Sequence, residues 1–257
     1  MAKFDGKNLR GAVGAVVFRV VNGVQIISAK PTEVRQTEET KRAASTFGEG
    51  SSLSCQIRDD FRDGIIKLFD PNIHDRLLSI LNMIFNRSRD RETLKYFFDE
   101  NSFSSLLNFD FNINSPLKKQ LPSETKTVVE NQRLTIAFPN GEKVAKLKFI
   151  KDSWKCEIKV HVRFYRLKEG LKTMKNMEQT LEIMKYEDND LRAKEFVFPV
   201  PAGCLCVVSM FLHYHGYPGI INTKKMNPGA ICYAGETPGI FEENESFLWS
   251  PMRKIFD

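Results

Sequence analysis

The stretch from Lys155 to Arg166 constrains this chain more than any other. Cys156, Ile158, Val160, Val162 and Phe164 fall on one side of a period-two pattern, and Lys155, Glu157, Lys159, His161, Arg163 and Tyr165 on the other. Residues two apart share a face only in an extended strand, so the pattern predicts a β-strand with one dry and one wet face. The sequence around it repeats the theme. Leu134, Ile136 and Phe138 alternate into the turn signal Pro139-Asn140-Gly141, and Val144 to Ile150 returns from it. Phe196, Phe198 and Val200 run into Pro201-Ala202-Gly203. Cys204 to Tyr214 is apolar on both faces at first and therefore central, and Ile231 to Ala234 is a further short strand. Lys172 to Tyr186, with Met174, Met177, Leu181 and Met184, reads as either a helical insertion or a sheet-to-sheet crossover. Strands separated by turn signals predict an antiparallel, immunoglobulin-like β-sandwich over 124–257.

The first half follows other rules. Two β-branched runs flank Asn22-Gly23, a pair that accepts positive φ at both central positions of a type I′ turn, so residues 9–31 predict a β-hairpin. Gly11 and Gly14 mark a tight bend before its first strand; they lack the third glycine and preceding strand of a dinucleotide fingerprint. Thr37 is the candidate N-cap of a helix whose first turn holds Glu38 and Glu39. Phe47, Ser54, Ile57, Phe61, Ile65 and Leu68 form its apolar stripe, and Gly48 and Gly50 predict a break in it. His74 to Asn86 predicts a second, deeply buried helix and Asp90 to Asp99 a short third. Leu107, Phe109, Phe111 and Ile113 alternate as a strand, and 115–123, with Pro116 and Pro122, is the linker candidate. The expected class is α+β: an N-terminal β-hairpin and helices over 1–114, a linker at 115–123 and a sandwich at 124–257.

Twenty phenylalanines against two tryptophans favour packed cores over disorder. The net charge of +6 is spread evenly, +3 in 1–120 and +3 in 121–257, with no charged tail. Such a balance permits nucleic acid or an acidic partner without singling out either. The start of the chain has no apolar h-region, and the longest apolar run, Cys204 to Leu212, is far short of a membrane span. The expectation is a cytoplasmic protein, with export by a signal-less route left open. Five cysteines, odd in number and without framework spacing, read as reduced and buried.

Gly11-x-x-Gly14-x-Val16-Val17-Phe18, then Asn22-Gly23, Lys30-Pro31 and Gln36-Thr37-x-x-Thr40-Lys41-x-Ala43-Ala44-x-x-Phe47-Gly48, form a connected pattern of about 40 residues. It resembles the N-terminal signature of a Bacteroidetes-type bacterial family that carries a domain-of-unknown-function label. Phe198-Pro199-Val200-Pro201-Ala202-Gly203 is similar to the C-terminal part of the same family. The resemblance implies no catalytic or binding residue and no cofactor.

Candidate chemistry is sparse. Cys204-x-Cys206 with Cys156 is a thiol set on neighbouring strands, but its spacing is that of a packed core rather than a zinc knuckle. His213 and His215 share a strand face, with Cys232 or Glu236 as potential third metal ligands; the simpler reading is a strand end running into solvent. Neither a Gly-x-Ser-x-Gly elbow nor a P-loop is present. No cofactor or metal is therefore expected. From Lys143 to Lys175 eleven basic residues stand against three acidic ones. Lys155, Lys159, His161, Arg163 and Tyr165 make the candidate face for nucleic acid or an acidic partner, unless Glu178, Glu182 and their neighbours fold back on it. Phe247, Leu248, Trp249 and Phe256 are either a partner-docking tail or a strap that completes the core. The sequence thus points to a non-enzymatic structural or interaction protein, a subunit of an assembly with a protein partner or its own copies. The alternative is a nucleic-acid binder using 143–175.

Overall fold

A computed structural model describes residues 2–30, 36–66, 70–121, 125–138, 147–174, 177–187, 194–241 and 245–252. Contacts divide the chain into two compact units, Met1–Ala44 and Ser45–Asp257.

The first unit is an antiparallel meander of β1 (Lys3–Phe4), β2 (Leu9–Val13), β3 (Val16–Val21) and β4 (Val24–Ala29), hydrogen-bonded in that order. Asn22 and Gly23, at φ 50° and 79°, close β3 onto β4 as a two-residue turn. The bend marked by Gly14 is a second such turn: Val13 pairs with Val16, and Gly14 sits at φ 55°. The predicted hairpin is therefore part of a four-stranded sheet. After it, Thr37 caps the next helix, its Oγ1 accepting the Thr40 N–H at 3.2 Å.

That helix, α1 (Glu38–Asp60), runs through Gly48 and Gly50 without a break. The reason is packing: a Cβ on Gly50 would lie 2.3 Å from Oδ1 of Asn82 in α3 (Ile73–Ser88), so the glycine permits a close helix crossing. The interruption comes later, at Phe61, before the short α2 (Arg62–Ile65) and Ile66 at φ 51°. Ser54, Ile57, Phe61 and Ile65 of the predicted stripe are buried, Phe47 is exposed, and Leu68 lies outside the described residues. Asp90 to Asp99 forms turns rather than a helix. Asp90 Oδ1 accepts the N–H groups of Glu92 and Thr93, a local alternative to helical bonding.

Two antiparallel sheets follow. The larger has six strands: β12 (Gly229–Glu236), β11 (Leu205–His215), β7 (Lys155–Arg166), β8 (Leu171–Thr173) and β13 (Trp249–Pro251) in order, with β9 (Met177–Met184) beside the first part of β7. The smaller has the order β10 (Glu195–Pro199), β6 (Arg133–Ala137), β5 (Lys126–Glu130). The 172–186 segment is thus two strands, neither helix nor crossover. Its methionines mimic a helical spacing, but Met177 and Leu181 alternate with Glu178 and Glu182 in register with β7. The returning strand expected over 144–150 is absent at 147–150, and 139–146 lie outside the described residues.

The body has two interiors. Ile158, Val160, Val162, Cys206 and Met210 of the large sheet meet Leu134, Ile136, Phe196 and Phe198 of the small one. On the other side, Tyr165, Leu205, Val207 and Phe211 meet Leu53, Ile57, Phe61, Leu77 and Phe85 of the helices. The result is α+β in three layers: small sheet, large sheet, helices. The contact boundary falls at 44/45 rather than at 115–123. Leu117 and Leu121 of that segment are buried in the sheet–sheet interior, and a short α4 (Leu117–Gln120) forms there after Pro116; 122–124 lie outside the described residues. Residues 108–111 run along β12, the Asn108 and Phe111 N–H groups donating to the Ile231 and Gly229 carbonyls and the Phe109 carbonyl accepting the Ile231 N–H, with Phe109 and Phe111 buried and Asp110 bridged to Ala230.

Candidate functional site

The predicted wet face of Lys155–Arg166 lies for much of its length inside the molecule. Strand β7 is flanked by β11, with His161 opposite Ser209, Arg163 opposite Val207 and Tyr165 opposite Leu205. The helical layer closes over this face, so near that a Cβ on Gly64 of α2 would sit 2.3 Å from the Phe211 ring. His161, Arg163 and Tyr165 are consequently 1%, 6% and 0% exposed, which corrects the expectation of a solvated basic face. Alternation identified the strand; it carried no information about a second layer arriving from a distant part of the chain.

A buried guanidinium needs a partner, and Asp60, the last residue of α1, supplies it. Arg163 Nη2 stands 3.3 Å and Lys172 Nζ 2.6 Å from Asp60 Oδ1, and Tyr165 Oη donates to Asp60 Oδ2 at 3.1 Å. Arg163 also donates to the Thr173 carbonyl at 2.6 Å. Burial, with the Asp60 charge beside it, pushes the Tyr165 hydroxyl well above its ordinary value. Further along, Lys155 Nζ bridges Glu157 (2.9 Å) and Glu182 (2.8 Å), and Lys159 Nζ lies 3.5 Å from Glu178. The glutamates of β9 do fold back on the basic row. Burial works to raise the Glu157 carboxyl, but hydrogen bonds from Lys155 and His215 outweigh it and hold it below the usual range.

Between these pairs lie the histidines. His213 is buried, and its Nε2 meets the Gly64 carbonyl at 2.8 Å. The strand end therefore does not run into solvent; it runs under α2. His215 Nε2 is 3.1 Å from Glu157 Oε1. His161 packs edge-on to Phe211 with no hydrogen bond at either ring nitrogen, its nearest carboxylate oxygen, Glu178 Oε2, at 3.6 Å. Burial lowers His161 to about 4 and also lowers His213. Glu236 lies opposite Leu205, at the other end of β11, and Cys232 packs toward the sheet–sheet interior, so neither joins the histidines. Cys156, Cys204 and Cys206 all line that interior, where burial pushes Cys206 far up and Cys204 and Cys232 to about 12. Thiols held protonated in this way are core fillers. Among the described residues no group of three His, Cys, Asp or Glu side chains is placed to hold a metal ion.

The C-terminal aromatics serve their own chain. Trp249 and its neighbours add β13 to β8, Phe247 packs on Phe164 with ring centroids 6.0 Å apart, and Met252 enters the helix–sheet interior. Leu248 is exposed, and Phe256 lies outside the described residues. For Phe247 and Trp249 the strap, not the free docking tail, is what the structure contains.

The first unit is the reverse case. None of its described residues is buried. Register places Val13, Val16, Phe18, Val20, Ile27 and Ala29 on one face, with Val13 57% and Ile27 63% exposed. The one polar side chain among them, Gln25, is tied within the sheet: Nε2 donates to the carbonyls of Leu9 and Arg19, and Oε1 accepts the Leu9 N–H. The opposite face carries Arg19, donating to Ser28 Oγ at 3.2 Å, together with Val17, Val21, Val24 and Ile26. Sequence reading found the strands but not the uncovered face. The signal available was the Val and Ile side chains on both faces of β3 and β4 combined with a unit too short to enclose a core.

No family model matches the chain, and no curated protein matches it. Among solved structures it is similar to a chicken interferon gamma receptor alpha chain, at 12% identity and a TM-score of 0.24. That likeness covers 45% of this chain and half of the receptor chain, and it is too slight to bear on fold or function. Among the described residues no helix is long and apolar enough to cross a membrane.

Proposed function

We propose that this chain is a structural or interaction protein rather than an enzyme, and that it serves as a subunit of an assembly joined through its N-terminal sheet. One observation carries the reading: the sheet of residues 3–29 has a face of Val, Phe and Ile side chains with nothing buried on it. A single sheet layer is marginal in water until its apolar face is covered. A polypeptide with such a face is completed by something that binds it. The nucleic-acid alternative draws less support from the 155–165 row. Lys155 and Lys159 are paired with glutamates, and His161, Arg163 and Tyr165 are enclosed.

The test is the native mass of the full chain in nuclease-treated extract, by size exclusion with light scattering. The expected result is a mass above that of one chain, unchanged by nuclease and reduced by Phe18→Asp. A single-chain mass in extract overturns the reading.

A further inference from the structure

The seam between the large sheet and the helices holds a polar cluster that the assembly reading does not use. His161 of β7 stands opposite Ser209 of β11 on the helix-facing side, and His213 lies further along β11 on the same side. His161, Ser209 and His213 are 1%, 0% and 3% exposed. Among the described residues, neither ring nitrogen of His161, nor Ser209 Oγ, nor His213 Nδ1 has a hydrogen-bond partner. Buried polar groups are normally partnered, so a patch of such atoms needs a physical reason.

The geometry makes both rings hold to their neutral form. A carbonyl only accepts, so His213 Nε2, 2.8 Å from the Gly64 oxygen, carries the hydrogen and Nδ1 is bare. A second proton would go onto Nδ1, where no acceptor stands. His161 as an imidazolium would have two N–H groups to satisfy. Phe211 packs edge-on to its ring at 5.3 Å, and Glu178 Oε2 is 3.6 Å away. The charged and titratable groups facing the two rings are Glu157 and Lys159 of β7, Glu178 of β9, His215 of β11 and Asp63 of α2. Asp60, at the end of α1, is engaged with Arg163, Lys172 and Tyr165.

What covers this patch is α2, and α2 is lightly held. It is a single turn of four residues in which Ile65 is the one buried apolar side chain, closed by Ile66 at φ 51°. Its last carbonyls are tied down by His213 on Gly64 and by Asn227 Nδ2, which donates to Ile65 at 2.6 Å. One turn of helix has little stability of its own. Strands β7 and β11, by contrast, are paired along their whole shared length. When water must reach a charged ring in the seam, the turn gives way before the sheet.

We infer that α2 is an acid-sensitive latch: protonation of His161 and His213 lets it lift off the large sheet while the strands stay paired. The latch lies in the body, apart from the N-terminal sheet, and stands or falls without the assembly reading. In the closed seam His161 is held down at about 4, and once open it returns to 6.5. The closed form is therefore fully favoured above pH 6.5 and loses ground as pH falls toward 4. Between pH 7 and pH 5, His161 alone multiplies the open fraction about 20-fold.

The test is native-state amide exchange of the purified full chain at pH 7 and pH 5, corrected for the intrinsic pH dependence of exchange. The reporters are the Ile65 and Ile66 amides, bonded to the Phe61 and Arg62 carbonyls, read against the amides of β11. Protection of the two reporters is expected to fall at least about 20-fold from pH 7 to pH 5 and to stay below that of β11 throughout. In His161→Leu, or in His161→Gln if the leucine variant does not fold, the fall is expected to be at least about tenfold smaller. Reporter protection that does not change with pH, as when His161 swings to Glu178 without opening, overturns the latch. So does protection equal to that of β11 at both pH values, because the turn then opens only when the whole body unfolds.

Discussion

Residues 16–29 and residues 155–166 are both rich in Val, Ile and Phe, apolar on both faces in the first and alternating with polar side chains in the second, and both fold as antiparallel strands. Their fates are opposite. In β7 even the polar row is largely enclosed, down to a guanidinium and an imidazole, because a second sheet covers one face and helices the other. In β3 and β4 nothing is buried. Alternation therefore identifies a strand and says little about what lies over it. Cover is decided by elements far away in sequence, and only the body has enough of them.

The contrast is open to attack in the body first. Asp60→Ala strands Arg163 and Lys172 inside the helix–sheet seam, and a loss of about 3–5 kcal/mol is expected in urea unfolding. A loss below about 1 kcal/mol would mean the seam does not hold α1 to the sheet. Phe61→Ala should cost a comparable 3–5 kcal/mol or so, since the ring is fully buried against Phe111 and Phe211. Gly64→Ala forces a methyl onto the Phe211 ring and should cost about 2–3 kcal/mol, whereas Gly50→Ala meets only the end of Asn82 and should cost less.

A smaller effect concerns pH. His161 is depressed from 6.5 to about 4, so the fold favours its neutral form. The body should hold its full stability above pH 6.5 and lose on the order of 2 kcal/mol as pH falls toward 4. The groups facing the ring are Glu178 from β9, Lys159 from β7, His213 from β11 and Asp63 from α2. His161→Leu should flatten the pH dependence of the urea midpoint over that window; an unchanged slope would assign it elsewhere. The smallest effect belongs to the other side of the comparison. Phe18→Ala in the N-terminal sheet of the monomer should shift the midpoint by under about 1 kcal/mol, and a shift as large as that of Phe61→Ala would show that the sheet's face is already covered.

Much of the fold could be read from the residues alone. The inward row of β7, the centrality of β11, the Thr37 cap, the α3 helix and the Asn22-Gly23 turn depend on local geometry or short-period patterns, and these survive folding. What escaped was non-local. Gly50 looked like a helix breaker because the group it approaches, Asn82, is distant in sequence. The basic row of β7 looked solvated because Asp60 reaches it from about a hundred residues away. The methionines of 174–184 suggested a helix because their spacing fits one as well as it fits two strands. The candidate site was legible only as a charge map, and the charges turned out to be spoken for.

The two-residue length of β1 has a consequence of its own. A ribbon that can be extended from either side grows into a fibre, whereas one with a stunted flank can be joined only once. Lys3 and Phe4 thus leave that flank of the sheet too short to template a further strand.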